Sequence, residues 1–275
     1  MDTPALITSL SAKTLIFTVT SGRSGTKLLA ALLGECLGID AEHEPAPRVN
    51  FVFRSIINAP DAAMSWLVHE KLPAMLARAS GPVYTETSHL FCKGLIEPIL
   101  ELGLRPKFII LTRPAREVAR SLFQMNAIPE RTGGGRLVLL GPSDPGVLPL
   151  PHWERLSDYQ LCYWYAREIE RRQSTYAALF RTLGLAAFWI EMRALTDWTT
   201  FGSLADFVAG ELGFVPNEQA FWRVTLRNQN ARGAATGRTH DRELPRDLDF
   251  QEQMVDEAIR TAGSEAVISQ LLRAH

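Results

Sequence analysis

The chain has 275 residues, 46% of them hydrophobic and 21% charged, with a formal net charge of −1. This composition fits a folded globular protein with a sizeable core. It excludes a general polyanion-binding surface, so any basic site must be local and nucleic acid is not an expected partner. No apolar run reaches the ~18 residues of a membrane span and no basic stretch leads into an apolar one at the N-terminus; with Cys36, Cys92 and Cys162 far apart in apolar contexts, this predicts buried thiols and a cytoplasmic location.

The run Leu15-Ile-Phe-Thr-Val19 has the β-branched and aromatic content of a buried strand. Thr20-Ser-Gly-Arg-Ser-Gly-Thr-Lys27 follows as a glycine turn, and Leu28 to Leu37 reads as a helix that stops at Gly38. Strand, glycine turn and helix N-terminus together attract oxyanions, because helix-start N–H groups and the helix dipole favour negative charge. Arg23 and Lys27 add two full charges. A magnesium-dependent nucleotide loop needs Gly-Lys followed directly by Ser or Thr. Here Thr26 separates Gly25 from Lys27 and Leu28 follows, so the usual metal ligand is missing and no metal is expected.

Gly38 to Asn58 is mixed, broken by Pro45 and Pro47, and carries the acidic and imidazole groups of Ala41-Glu-His-Glu-Pro45. Asp61 to Ala79 reads as one amphipathic helix ended by Gly81-Pro82. Val83 to Thr87 is a short strand, and a helix lies near Phe91 to Leu102. Lys107 to Thr112 is a second buried-strand run, leading through Arg113-Pro114 into a helix over Glu117 to Asn126.

Glu130 to Pro151 holds five Gly and four Pro, which suits a long loop, either a flap over an acceptor with Leu137, Val138, Leu139 and Leu140 as apolar contacts or a surface insertion. Trp153 to Leu183 reads as one long helix and Ala187 to Ile190 as a strand. Ser203 is the expected cap of a helix reaching Leu212, and Gln251 to Ala274 closes the chain. The alternation predicts an α/β fold, a parallel sheet with helices on both faces, in one domain over residues 1–275.

The Ser21-Gly-Arg-Ser-Gly-Thr-x-Leu-Leu29 segment after a first strand resembles the 5′-phosphosulfate loop of the sulfotransferases. Arg113 at a strand end with Ser121 eight residues on resembles the same family's 3′-phosphate motif, although Pro114 follows the Arg directly rather than one residue later. Arg232-Gly233 resembles its late Arg-x-Gly loop. The resemblance implies a P-loop-like sulfotransferase fold. It also implies 3′-phosphoadenosine 5′-phosphosulfate (PAPS) as donor, held by Gly22, Arg23, Ser24, Gly25, Thr26, Lys27, Arg113, Ser121, Arg232 and Gly233.

The acceptor is then a hydroxyl on a small or carrier-bound molecule, and a homodimer stays open. Two places can supply the base. Glu44 follows the first helix, where several sulfotransferases carry a catalytic Glu, with Glu42 and His43 beside it. His89 in Thr87-Ser-His-Leu90 resembles the Lys-Thr/Ser-His-Leu segment of cytosolic sulfotransferases, with Thr87 in place of the Lys. Lys27 or Arg23 must then neutralise the leaving phosphate, and Glu86 is a third base or the partner of a cation. A P-loop kinase using ATP and a non-catalytic nucleotide-binding protein are the alternatives.

Overall fold

The computed structural model describes residues 2–227 and 242–273, with side chains to residue 263. Five strands form one sheet in the order β2-β3-β1-β4-β5, where β1 is Thr14–Thr20, β2 Asp40–His43, β3 Val83–Thr87, β4 Lys107–Thr112 and β5 Ala187–Glu191. Every pairing is parallel; β1 lies between β3, with Phe17 opposite Glu86, and β4, with Phe17 opposite Phe108. This is the α/β architecture expected from the alternation of elements.

The described residues divide into two compact units, 2–113 with 172–227, and 114–171 with 242–273. The first holds the sheet. Alternate strand residues face opposite sides, as the period of two requires. Ile16, Ile109, Leu111 and Ile190 face one side and share a core with Leu29, Leu32 and Leu33 of helix Thr26–Leu37, Phe201 and Leu204 of helix Trp198–Ala209, and Phe221 of helix Glu218–Leu226. On the other side Phe17 stacks on Phe91 with ring centres 4.5 Å apart, and Phe108 on Phe180 at 3.9 Å.

In the second unit, helix Ala115–Gln124 is tied to helix Leu248–Arg273 by Arg116, whose Nε donates to both oxygens of the buried Glu252 at 3.0 and 2.9 Å. The Tyr159 hydroxyl donates to the same carboxylate.

Several expected boundaries move for local reasons. The four-residue strand β2 was expected as mixed structure, because a short polar edge strand has no alternating signal to read. The helix expected over 61–79 is interrupted: Pro60–Trp66 and Leu72–Arg78 flank a π-helical turn at Leu67–Lys71, just before Pro73, which has no N–H to donate. Ser203 is not a cap but lies inside helix Trp198–Ala209; Asp197 caps it, accepting from the Thr200 amide at 2.7 Å. A helix at Thr3–Ser11, capped by Asp2, was not anticipated.

The long helix begins at Asp158 rather than at Trp153. The Gly/Pro-rich stretch contains a short helix, Gly133–Val138, and is pinned by Glu168 accepting from the Leu148 amide and by the Trp164 indole donating to the Leu148 carbonyl. Leu139 and Leu140 are core residues rather than substrate contacts, and only Leu137 is well exposed.

Candidate functional site

The turn after β1 leads directly into helix Thr26–Leu37. Gly25 is the N-cap of helix Thr26–Leu37 at φ 83°, ψ 19°, and no side chain caps that helix start. Its first N–H groups have no partner within the helix, the feature that suits a helix start to an anion. A Cβ at Gly25 would lie 2.8 Å from Met192 Cγ, so this position needs glycine both for its left-handed backbone and for space. Arg23 also sits in the left-handed region, at φ 69°. The Ser21 and Ser24 hydroxyls bond to each other in the floor of the loop, so Ser24 shapes the turn with its side chain. Thr26 is buried and Lys27 exposed at the helix start.

The neighbouring strands lock this turn in place. Thr20 donates its hydroxyl to the Leu111 carbonyl at 2.6 Å, and the buried Gln173 amide donates to Leu111 at 2.9 Å and Val19 at 3.3 Å, satisfying carbonyls where β1 and β4 end. Thr87 donates to the Thr26 carbonyl at 3.0 Å, joining the end of β3 to the helix start. Arg113, immediately after β4, donates from Nη1 to the Arg23 carbonyl at 2.6 Å. Its guanidinium is thus beside the glycine turn. Burial first, and the Arg113 charge second, hold the Arg23 pKa below its ordinary value.

Both base candidates converge here. His89 Nε2 lies 3.4 Å from Glu44 Oε1, and the imidazole packs against Gly22, whose Cβ position is 3.6 Å from Cε1 and Nδ1. Glu44 has φ 47°, a left-handed conformation rare for a residue with a side chain. Its neighbours turn elsewhere. The His43 ring bonds through Nδ1–H to the Thr87 carbonyl at 2.9 Å, and Glu42 faces Arg78 at 3.4 Å.

Glu86 is fully buried and paired with Lys71 at 2.7 Å, so it takes the role of a cation's partner. Burial raises its pKa to about 7, against the pull of Lys71. Lys71 Nζ also donates to the Pro45 and Pro47 carbonyls at 3.3 and 3.4 Å, which anchors the segment carrying Glu44.

Lys93, like Lys71, has no place in the sequence motifs. Lys93 Nζ lies 2.9 Å from His89 Nδ1, with Lys93 1% exposed. Burial lowers the Lys93 pKa to about 7, and burial followed by the Lys93 charge holds His89 well below its ordinary value. The only local signal is the four-residue spacing of His89 and Lys93 across the single helical turn Phe91–Lys93, which brings two side chains to one face. Of the remaining predicted residues, Ser121 lies half-buried on helix Ala115–Gln124 in the second unit, while Arg232 and Gly233 lie outside the described residues.

The fold of this chain, with its five-stranded parallel sheet, is similar to that of solved sulfotransferase domains. The sulfotransferase domain from the curacin biosynthetic pathway matches with TM-score 0.50 and 16% identity, over 90% of this chain and 98% of that one. The sulfotransferase domain from the Synechococcus PCC 7002 olefin synthase matches with TM-score 0.52 and 14% identity, over 91% of this chain and 96% of that one. At these identities the likeness is one of fold. No family model and no curated protein matches the chain. Among the described residues no helix is long and apolar enough to cross a membrane.

Proposed function

We propose that the chain is a sulfotransferase that uses PAPS to convert a hydroxyl, on a small or carrier-bound molecule, to a sulfate ester. The observation that carries this reading is that His89, paired with Glu44, packs against a glycine turn that bears Arg23 and Lys27 and has Arg113 beside it. An anion cradle and a candidate base share one site. The residues fit the donor nucleotide: an uncapped helix start suits its 5′-phosphosulfate, and a guanidinium at the end of β4 suits its second phosphate. When bound, PAPS supplies the sulfuryl group.

The chain's own residues do the rest. The turn amides, Arg23 and Lys27 hold the anion and stabilise charge on the departing phosphate oxygen. Glu44 or His89 takes the hydroxyl proton. Single-charged sulfuryl transfer needs no metal. A kinase reading is disfavoured because Leu28, not a hydroxyl residue, follows Lys27.

Calorimetry with adenosine 3′,5′-bisphosphate and with ATP–magnesium separates the two readings, and labelled-sulfate transfer to free and carrier-bound alcohols tests the activity. The bisphosphate is expected to bind and Arg113→Ala to weaken it by about 1.5–3 kcal/mol, the worth of a charged hydrogen bond. Binding of ATP–magnesium alone overturns the sulfotransferase reading, and an unchanged bisphosphate affinity in Arg113→Ala removes that residue from the site.

A further inference from the structure

His89 is held from both sides. Lys93 Nζ is 2.9 Å from Nδ1, and Glu44 Oε1 is 3.4 Å from Nε2. Below about pH 7 Lys93 is an ammonium, with three N–H donors and no acceptor, so the Nδ1 opposite it is then the accepting nitrogen. A neutral imidazole with an accepting Nδ1 carries its proton on Nε2, where it faces the carboxylate. The other tautomer would set an N–H against an ammonium and a lone pair against a carboxylate, replacing two attractions by two repulsions. Exposure points the same way: the Glu44 side chain is 33% exposed and that of His89 only 11%. An incoming alcohol therefore has more ready access to the carboxylate than to the ring behind it.

We propose that Lys93 is a positioning residue that fixes His89 as its Nε2–H tautomer, so that His89 orients Glu44 and Glu44 receives the acceptor's proton. This rests on the sulfuryl-transfer reading. In the step, the acceptor O–H proton passes to a Glu44 carboxylate oxygen as the acceptor oxygen bonds to sulfur. The bond from sulfur to the 5′-phosphate oxygen breaks, and its electron pair leaves on that oxygen. His89 and Lys93 keep their protons throughout. The groups facing this pair are Glu44, Cys92, Arg172 and Arg54 around Lys93, with His43 and Arg23 near His89.

The test is a long-range proton–nitrogen correlation spectrum of the full chain labelled with 15N-histidine, recorded below the Lys93 value of about 7. A proton on Nε2 and none on Nδ1 of His89 is expected. In Lys93→Met the two tautomers are expected to mix, and turnover at saturating PAPS to fall by about tenfold or more with bisphosphate affinity unchanged. A protonated Nδ1 in the wild type overturns the proposal whether or not sulfuryl transfer is found. An unmixed tautomer with full turnover in Lys93→Met also overturns it. If that variant does not fold, the wild-type spectrum decides. If the wild type shows the Nε2–H tautomer yet transfers no sulfuryl group, the tautomer assignment is supported and the enzymatic reading is what fails.

Discussion

Glu44 occupies a backbone conformation that costs a residue with a Cβ about 1–2 kcal/mol. Lys71 holds the flanking Pro45 and Pro47 carbonyls and so maintains that conformation, placing the carboxylate beside His89. Strain retained at a reactive group gives a testable contrast. Glu44→Gly is expected to be neutral or stabilising by up to about 1 kcal/mol, since glycine adopts this conformation freely but loses more chain entropy on folding. Glu44→Gln keeps the strain and should not stabilise. Both should lose turnover by about 10²–10⁴-fold, the range for a missing proton acceptor. Denaturant melts of the two variants check the stability side, and Glu44→Gly melting well below Glu44→Gln would show that the side chain, not the backbone, sets the cost. The position of Glu44 after the first helix was legible, but its contact with His89 was not. Lys93 and Lys71 were not, because a lysine on a short helical turn is ordinarily solvated and nothing local reports that each meets a buried partner.

At the scale of elements, the site is made by four strand ends, and the glycines between strand and helix are not equivalent. Gly25→Ala places a Cβ at positive φ and 2.8 Å from Met192, so a loss of about 2 kcal/mol or more is expected, with weaker bisphosphate binding. Gly22→Ala meets only the His89 ring at an ordinary 3.6 Å and should cost far less; equal melts for the two would refute the contrast.

The Lys71–Glu86 pair links the π-helical turn to β3. Lys71→Met leaves a carboxyl buried without its partner, a change worth about 3–5 kcal/mol when the group is ionised. Because burial already raises Glu86 to about 7, the folded variant can protonate it, and the loss should shrink below that pH. A pH-independent loss in urea melts would contradict this. The strand–turn–helix segments could be read because apolar runs, glycines and helix stops lie within ten residues of one another. The π turn and β2 could not be read, being set by Pro73 and by pairing with β3 rather than by their own pattern.

For the whole molecule, two buried groups impose opposite pH dependences. Glu86 titrates near 7 folded and near 4.5 unfolded, so between these values the folded chain holds the extra proton and stability falls as pH rises. Lys93 titrates near 7 folded and 10.5 unfolded, so above 7 the unfolded chain holds the extra proton and stability rises again. Their summed contribution is lowest near pH 7. Urea melts across this range should show the dip, and Lys93→Met should lose its alkaline limb; an unaltered limb would mean that Lys93 is not the group responsible.

The parallel α/β class was readable from the alternation of elements alone. The strand order puts the candidate groups on opposite sides of β1: Arg113 follows β4, while Glu44 follows β2 and His89 lies just after β3. If the proposed sulfuryl transfer holds, donor grip and acceptor choice fall on different halves of the scaffold, and redesigning the segment after Glu44 should change which alcohols are taken without loosening the hold on the nucleotide.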